Sequence, residues 1–164
     1  MPHYPTIRRA TSADRESWLA MRQALWSECS RDEHIAEIDE TLAAEGQVCL
    51  VAESLTGQVL GFLEASLRPF AVGCRTGPVG YIEGWYVRAH DRRQGVGRAL
   101  VAAAEEWARN EGCIEMASDA MLENSISQSA HRAIGYEGAG QLVCFRKLLR
   151  PEEGKHGSAG DIPG

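Results

Sequence analysis

The stretch Arg92-Arg93-Gln94-Gly95-Val96-Gly97-Arg98 decides the reading of this chain. It follows a strongly strand-like run, 81–87, in which Tyr81, Ile82, Trp85, Tyr86 and Val87 surround one charge, Glu83, and one glycine, Gly84. It precedes an amphipathic helix expected over 96–110, with Leu100, Val101, Ala104, Trp107 and Ala108 as its buried stripe and Gly112 as its stop. Two glycines in a strand-to-helix turn let several backbone N–H groups converge on one point. The helix N-terminus adds its partial positive charge, and the two together suit a pyrophosphate. A Walker-type loop is excluded, because Gly97 is followed by Arg98 and Ala99 rather than Lys and Ser or Thr. A dinucleotide fingerprint is excluded as well, because Leu100 stands where its third glycine belongs.

Working outward, a short strand is expected at 7–10. A first helix capped by Thr11 or Ser12 then runs to about Trp26, with Trp18, Leu19, Leu25 and Trp26 inward. A second helix over 32–44 has Ile35, Ile38 and Leu42 inward and ends at Gly46. Strands at 48–53 and 59–67 flank a Thr-Gly turn, and 68–80 reads as loop. Beyond the central unit come a strand at 113–118, a short helix at 125–134 closed by Gly135, and two last strands at 136–138 and 142–148. The fold class is therefore mixed α/β, with one strand–turn–helix unit at its centre. One domain is expected over 1–150, and 151–164, rich in Gly, Pro and charge, reads as a disordered tail.

With 164 residues, 44% apolar and 24% charged, the chain has the makings of one ordinary globular domain. It has no run of about 18 apolar residues to span a bilayer, and its first residues lack a signal-peptide pattern, so a cytoplasmic location is expected. The five cysteines, Cys29, Cys49, Cys74, Cys113 and Cys144, show no CxxC spacing. Reduced, mostly buried thiols and no metal are expected. A net charge of −6 disfavours nucleic acid and favours cationic partners. Much of that charge lies in one stretch: Glu28, Asp32, Glu33, Glu37, Asp39, Glu40 and Glu45, opposed by Arg31. It reads either as a solvated helix face or as a wall that attracts a cation.

The motif Arg92-x-x-Gly95-x-Gly97 resembles the (Q/R)xxGx(G/A) acetyl-CoA loop of the GCN5-related N-acetyltransferases, and the element order from 7 to 148 fits that fold, which implies a mixed, mostly antiparallel central sheet flanked by helices. Asn124, followed by Gly135-Tyr136, resembles the family's second cofactor segment. Leu25-Trp26, Ile82-Glu83-Gly84, Met116-Ala117-Ser118-Asp119, Glu123-Asn124, Ile126-Ser127-Gln128 and His131 resemble one branch, the aminoglycoside 6'-N-acetyltransferases. The resemblance implies acetyl-CoA as cosubstrate, a homodimer, and transfer to the 6'-amine of an aminoglycoside in a ternary complex. The backbone of Trp85, Tyr86 and Val87 would hold the acetyl carbonyl and pantetheine. Arg93, Gln94, Gly95, Val96, Gly97 and Arg98 would wrap the pyrophosphate, and Asn124 would reach the pantetheine near the sulfur. Trp26, Glu83 and Asp119 would contact the drug.

Two departures concern the acceptor. The substrate loop offers Phe70 where relatives carry an aromatic hydroxyl, and Gly140 stands where they carry a glutamate.

The chemistry of the residues agrees with a transferase. An alkyl amine attacks a thioester only after losing a proton, and Glu83 and Asp119 are strand-borne carboxylates able to bind the ammonium and accept that proton. Their alternatives are a solvent-facing strand residue and a helix cap. His131 reads as a thiolate-protonating acid or as a ring packed on cofactor, and Trp26 as a sugar platform or a core residue. Polyamines, small amines or protein amines are the rival acceptors, and an acyl-CoA-binding sensor is the non-enzyme rival.

Overall fold

The computed structural model describes residues 5–150. Its elements are β1 (Thr6–Arg9), α1 (Arg15–Leu25), α2 (Arg31–Ala43), β2 (Gln47–Glu53), β3 (Val59–Arg68), β4 (Val79–Val87), α3 (Val96–Asn110), β5 (Met116–Ser118) and α4 (Ser125–Ala133). The five strands form one sheet in sequence order. Neighbours are antiparallel through β4, and β5 lies parallel to β4. The expected mixed, mostly antiparallel sheet is what the chain forms.

Strand alternation explains why helices cover both faces. On β2, Val48, Leu50 and Ala52 join Leu63 and Ala65 of β3 in a core with Leu100, Val101, Ala104, Trp107 and Ala108 of α3. Cys49 and Val51 point the other way, into a second core with Phe62 and with Trp18, Leu19, Met21 and Ile38 of α1 and α2. A strand buried on both faces reads as a continuous apolar run, as β2 does.

Three sequence-based expectations need correction. Tyr136–Gly138 and 142–148 are not strands. The second segment leaves Leu142, Val143 and Phe145 largely exposed. Strand propensity needs a partner edge, and β5 offers only three residues of ladder. Next, Arg68, Val79 and Gly80 belong to strands rather than loop. Finally, Leu42 is exposed, and the residue buried with Ile38 on α2 is His34. Of the cysteines, Cys49 and Cys113 are buried, whereas Cys29 and Cys144 are exposed. The tail at 151–164 lies outside the described residues.

A short helical turn, Ser12–Asp14, leads into α1. The buried Asp14 carboxylate accepts from Arg8 Nη1 at 2.8 Å and Nη2 at 2.9 Å, and from the Thr11 N–H at 2.8 Å, tying β1 to α1. The hydrogen-bonded Arg8 guanidinium holds this carboxyl below the usual range, against the opposing effect of burial. A depressed folded-state pKa adds stability above the unfolded pKa, about 3.9 for Asp, which is lost as pH falls through the folded value. Asp14→Asn is expected to cost about 1.5–3 kcal/mol at neutral pH, the usual worth of hydrogen bonds to a charged group. Urea unfolding should show the gap to wild type narrowing on acidification below the usual carboxylate range.

Candidate active site

The site begins where β4 and β5 part. They pair only from Gly80↔Met116 to Ile82↔Ser118. Beyond that, Gly84, Trp85, Tyr86 and Val87 keep β3 on one side, and no strand among the described residues takes the other. The open edge leaves backbone groups free for a ligand. At the start of the opening Glu64 pairs with Gly84 and the next residue, Ala65, with Ile82, so Glu83 is the extra residue of a bulge. A bulge re-aims its side chain out of the ladder.

The glycine-rich turn closes one end of this cleft. Arg93 (φ 62°) and Gly95 (φ 84°) are left-handed, and no side chain caps α3. The first-turn N–H groups of Val96, Gly97 and Arg98 therefore lack helical partners. Arg92 Nε donates to the Val87 carbonyl at 2.9 Å and pins the turn to the end of β4. Gln94 bonds back to His90 O, and Arg98 reaches Ala133 O in α4. An uncapped helix start behind a left-handed turn is the donor array that a pyrophosphate requires.

The two carboxylates meet through residues that the sequence reading passed over. Glu83 accepts from Ser66 Oγ at 2.5 Å and from Arg68 Nε and Nη2 at 3.2 and 2.7 Å. The Arg68 guanidinium lies 3.4 Å from the centroid of the Tyr81 ring. Tyr81 in turn donates its hydroxyl to Asp119 Oδ1 at 2.9 Å. Burial, and then that bond to Asp119, pushes the Tyr81 phenol up to about 12, so it remains a donor across the working pH range.

On the other wall, His131 stacks on Trp85 with ring centroids 5.0 Å apart. Its Nδ1 lies 2.7 Å from the Ser127 carbonyl, an acceptor only, so Nδ1 carries the proton in the neutral ring. Nε2 then accepts from the Ser118 hydroxyl at 2.9 Å. Ser118, at the apex of the cleft, is a further residue missed in the sequence. Asn124 caps α4, its Oδ1 accepting from the Ser127 N–H at 3.0 Å, which leaves its amide group for other work.

Trp26 stands just past α1 and packs edge-to-face on Phe62, with centroids 6.2 Å apart. Its ring lies on Gly84: a Cβ there would fall 2.3 Å from Trp26 Cζ2. The glycine lets Trp26 sit beside Glu83. Phe70 is three-quarters exposed on the loop after β3 and joins none of these hydrogen-bonded groups. Much of the acidic stretch is already engaged: Glu37 pairs with Arg22, Asp39 pairs with Arg15, and Glu33 closes a capping box with Ser30. Among the described residues no group of His, Cys, Asp or Glu is arranged to hold a metal.

Residues 15–136 match the acetyltransferase (GNAT) family. The chain belongs to that family. Among curated relatives, an aminoglycoside N(6')-acetyltransferase type 1 of Klebsiella aerogenes is 48% identical over 91% of this chain and 100% of its own. One from Stenotrophomonas maltophilia is 43% identical over 90% of this chain and 95% of its own. Among solved structures, AAC(6')-Iy in complex with the bisubstrate analogue CoA-S-monomethyl-acetylneamine superposes with a TM-score of 0.84. It has 37% identity and covers 89% of this chain and 99% of its own. Apo AAC(6')-IG of Acinetobacter haemolyticus gives the same TM-score at 40% identity, over 88% of this chain and 99% of its own.

Proposed function

We propose that this GNAT chain acetylates the 6'-amine of aminoglycoside antibiotics with acetyl-CoA as donor, and so confers resistance. The observation that carries the reading is the open edge of β4, flanked by a phosphate-type turn at one end and two carboxylates at the other. Full-length relatives at 48% and 43% identity that bear this activity, and a neighbour solved with a CoA–aminoglycoside conjugate, support the same acceptor.

Acetyl-CoA supplies the thioester carbonyl that the amine attacks. The N–H groups of Gly95, Val96, Gly97 and Arg98 receive its pyrophosphate, with Arg93 and Gln94 completing the turn. The backbone of Trp85, Tyr86 and Val87 binds along the open edge, and the free Asn124 amide lies on the opposite side of the cleft. Glu83 and Asp119 bind the ammonium groups of the drug, and Asp119 accepts the proton that the attacking amine loses. The incoming ammonium competes with Arg68 for Glu83. His131, with its Nδ1 proton committed to Ser127 and its Nε2 accepting from Ser118, packs on Trp85 as part of the cosubstrate wall. Trp26 offers its ring face to a sugar, and Phe70 borders the drug from the loop after β3. The product amide is uncharged, so the drug loses one cation.

The reading is tested with paired drugs. A 6'-amino aminoglycoside should be turned over, with mass spectrometry placing one acetyl group at N6'. Its 6'-hydroxy counterpart should bind without appreciable turnover, because an alcohol there is a far weaker nucleophile. Equal rates on the two, or acetylation at another nitrogen, overturns it.

The proposed location is the cytoplasm, where acetyl-CoA is made and used. None of the described helices is long and apolar enough to cross a membrane. A homodimer is proposed as the working unit. In the single chain Leu142, Val143, Phe145 and Leu149 stay exposed, and the β5 edge of the sheet is open among the described residues. Exposed apolar segments and open strand edges are both surfaces that association covers. Light scattering should give twice the chain mass, and Leu142→Ser with Phe145→Ser should give a monomer.

A further inference from the structure

Beneath Trp26 lies a buried polar cluster that the acetyl-transfer chemistry leaves unused. Arg22 of α1, His34 of α2 and Glu64 of β3 are 3%, 0% and 7% exposed. Glu64 accepts from Trp18 Nε1 at 2.7 Å and from Arg22 Nη1 at 2.5 and 2.6 Å. Burial pushes the Glu64 carboxyl up, and Arg22 beside it pulls it down. Arg22 also pairs with Glu37, and its Nε donates to His34 Nδ1 at 3.3 Å. A guanidinium only donates, so His34 carries its ring proton on Nε2. That nitrogen donates to the Trp26 carbonyl at 3.2 Å.

The same cluster touches the Trp26 ring. Arg22 Cζ lies 4.7 Å from the ring centroid, while the Trp26 backbone N–H makes the last i→i−4 bond of α1, to the Arg22 carbonyl at 2.8 Å. Trp26 is the C-cap of α1, with φ −122° and ψ 69°, so the helix holds its N–H but does not by itself set the direction of its carbonyl and ring. Its orientation comes from Arg22 and His34 on one side and from Gly84 and Phe62 on the other. Buried charges of this kind rarely add net stability over a packed apolar replacement. What they do here is fix direction: each bond has one donor and one acceptor, and the chain of bonds ends on Trp26.

We propose that Arg22, His34 and Glu64 form a positioning device for Trp26, and that His34 thereby sets the affinity for the aminoglycoside without touching it. This rests on the reading that Trp26 packs against the sugar. His34→Leu removes both ring bonds while filling the space. It should raise KM for kanamycin about tenfold, the scale of a lost buried hydrogen bond, and leave KM for acetyl-CoA within about twofold. His34→Gln keeps one acceptor and one donor and should recover most of the loss.

A double-mutant cycle on the full chain separates positioning from bulk stability. In a Trp26→Ala background, His34→Leu should cause no further rise in the drug KM, because residues acting through one another are not additive. Equal effects in both backgrounds, equal effects of Leu and Gln, or parallel rises in both KM values overturn the proposal. If His34→Leu does not fold, Arg22→Lys serves instead: it keeps the charge and loses the Nε donor, and it should raise the drug KM alone. Emission of Trp26, taken as the difference from a Trp26→Phe protein, needs no substrate. It should shift in His34→Leu and return in His34→Gln. An unchanged drug KM in Trp26→Ala overturns the substrate reading alone, and an unchanged emission in His34→Leu overturns the positioning.

Discussion

Gly95→Asp should abolish acetyl-CoA binding at concentrations that saturate the wild type, a loss of at least about a hundredfold by calorimetry. Two effects add. The left-handed backbone at Gly95 (φ 84°) costs an L-residue about 1 kcal/mol. That is a few-fold only, and open space around the position means no clash adds to it. The larger effect is electrostatic. A carboxylate at the uncapped start of α3 opposes the pyrophosphate and offers an internal acceptor to the same N–H groups. Gly95→Ala separates the two: it carries the strain without the charge and should lose only the few-fold part. Unchanged affinity in Gly95→Asp removes the turn from the cosubstrate site.

The other large effect is expected at the carboxylates. Asp119→Asn should lower kcat by about 10²–10⁴-fold, the usual contribution of one general base, with little change in acetyl-CoA affinity. Glu83→Gln should act differently, because Glu83 is already held by Arg68 and Ser66. Neutralising it removes the site that a drug ammonium takes from Arg68, so its main effect should be on KM for the drug. Steady-state rates from pH 6 to 9 read both. Near-normal kcat in both variants throughout that range leaves the proton to an ordered water and other acceptors.

The β4–turn–α3 unit was legible because three independent patterns agree there: a β-branched and aromatic run, glycines at the turn, and a 3.6-residue apolar stripe. Glu83 was legible as a charge out of place in an apolar strand, and Asp119 as a carboxylate at the end of the next one. Their connection was not. Arg68 reaches Glu83 only because a bulge shifts the β3–β4 register by one residue, and a one-residue shift cannot be read from strand propensity. His34 was hidden for a related reason. A histidine beside acidic residues on an amphipathic helix looks solvent-facing, and its burial depends on Arg22 arriving from another element. The two final strands failed because apolar alternation near the C-terminus encodes a willingness to pair, while the partner edge is a property of the assembled sheet.

The two halves proposed for the cleft, donor and acceptor, are made of different material. The donor half is main chain: an uncapped helix start, a left-handed turn and an open strand edge. The acceptor half is side chain: Trp26, Glu83, Asp119 and the arginine, tyrosine and serine that hold them. Point mutation rewrites side chains and leaves amide groups where they are. Drift in this gene can therefore broaden or narrow the range of drugs accepted while its hold on acetyl-CoA persists. An inhibitor anchored on the turn amides would leave such drift few contacts to delete, whereas one leaning on Trp26 or Glu83 could be escaped by a single codon.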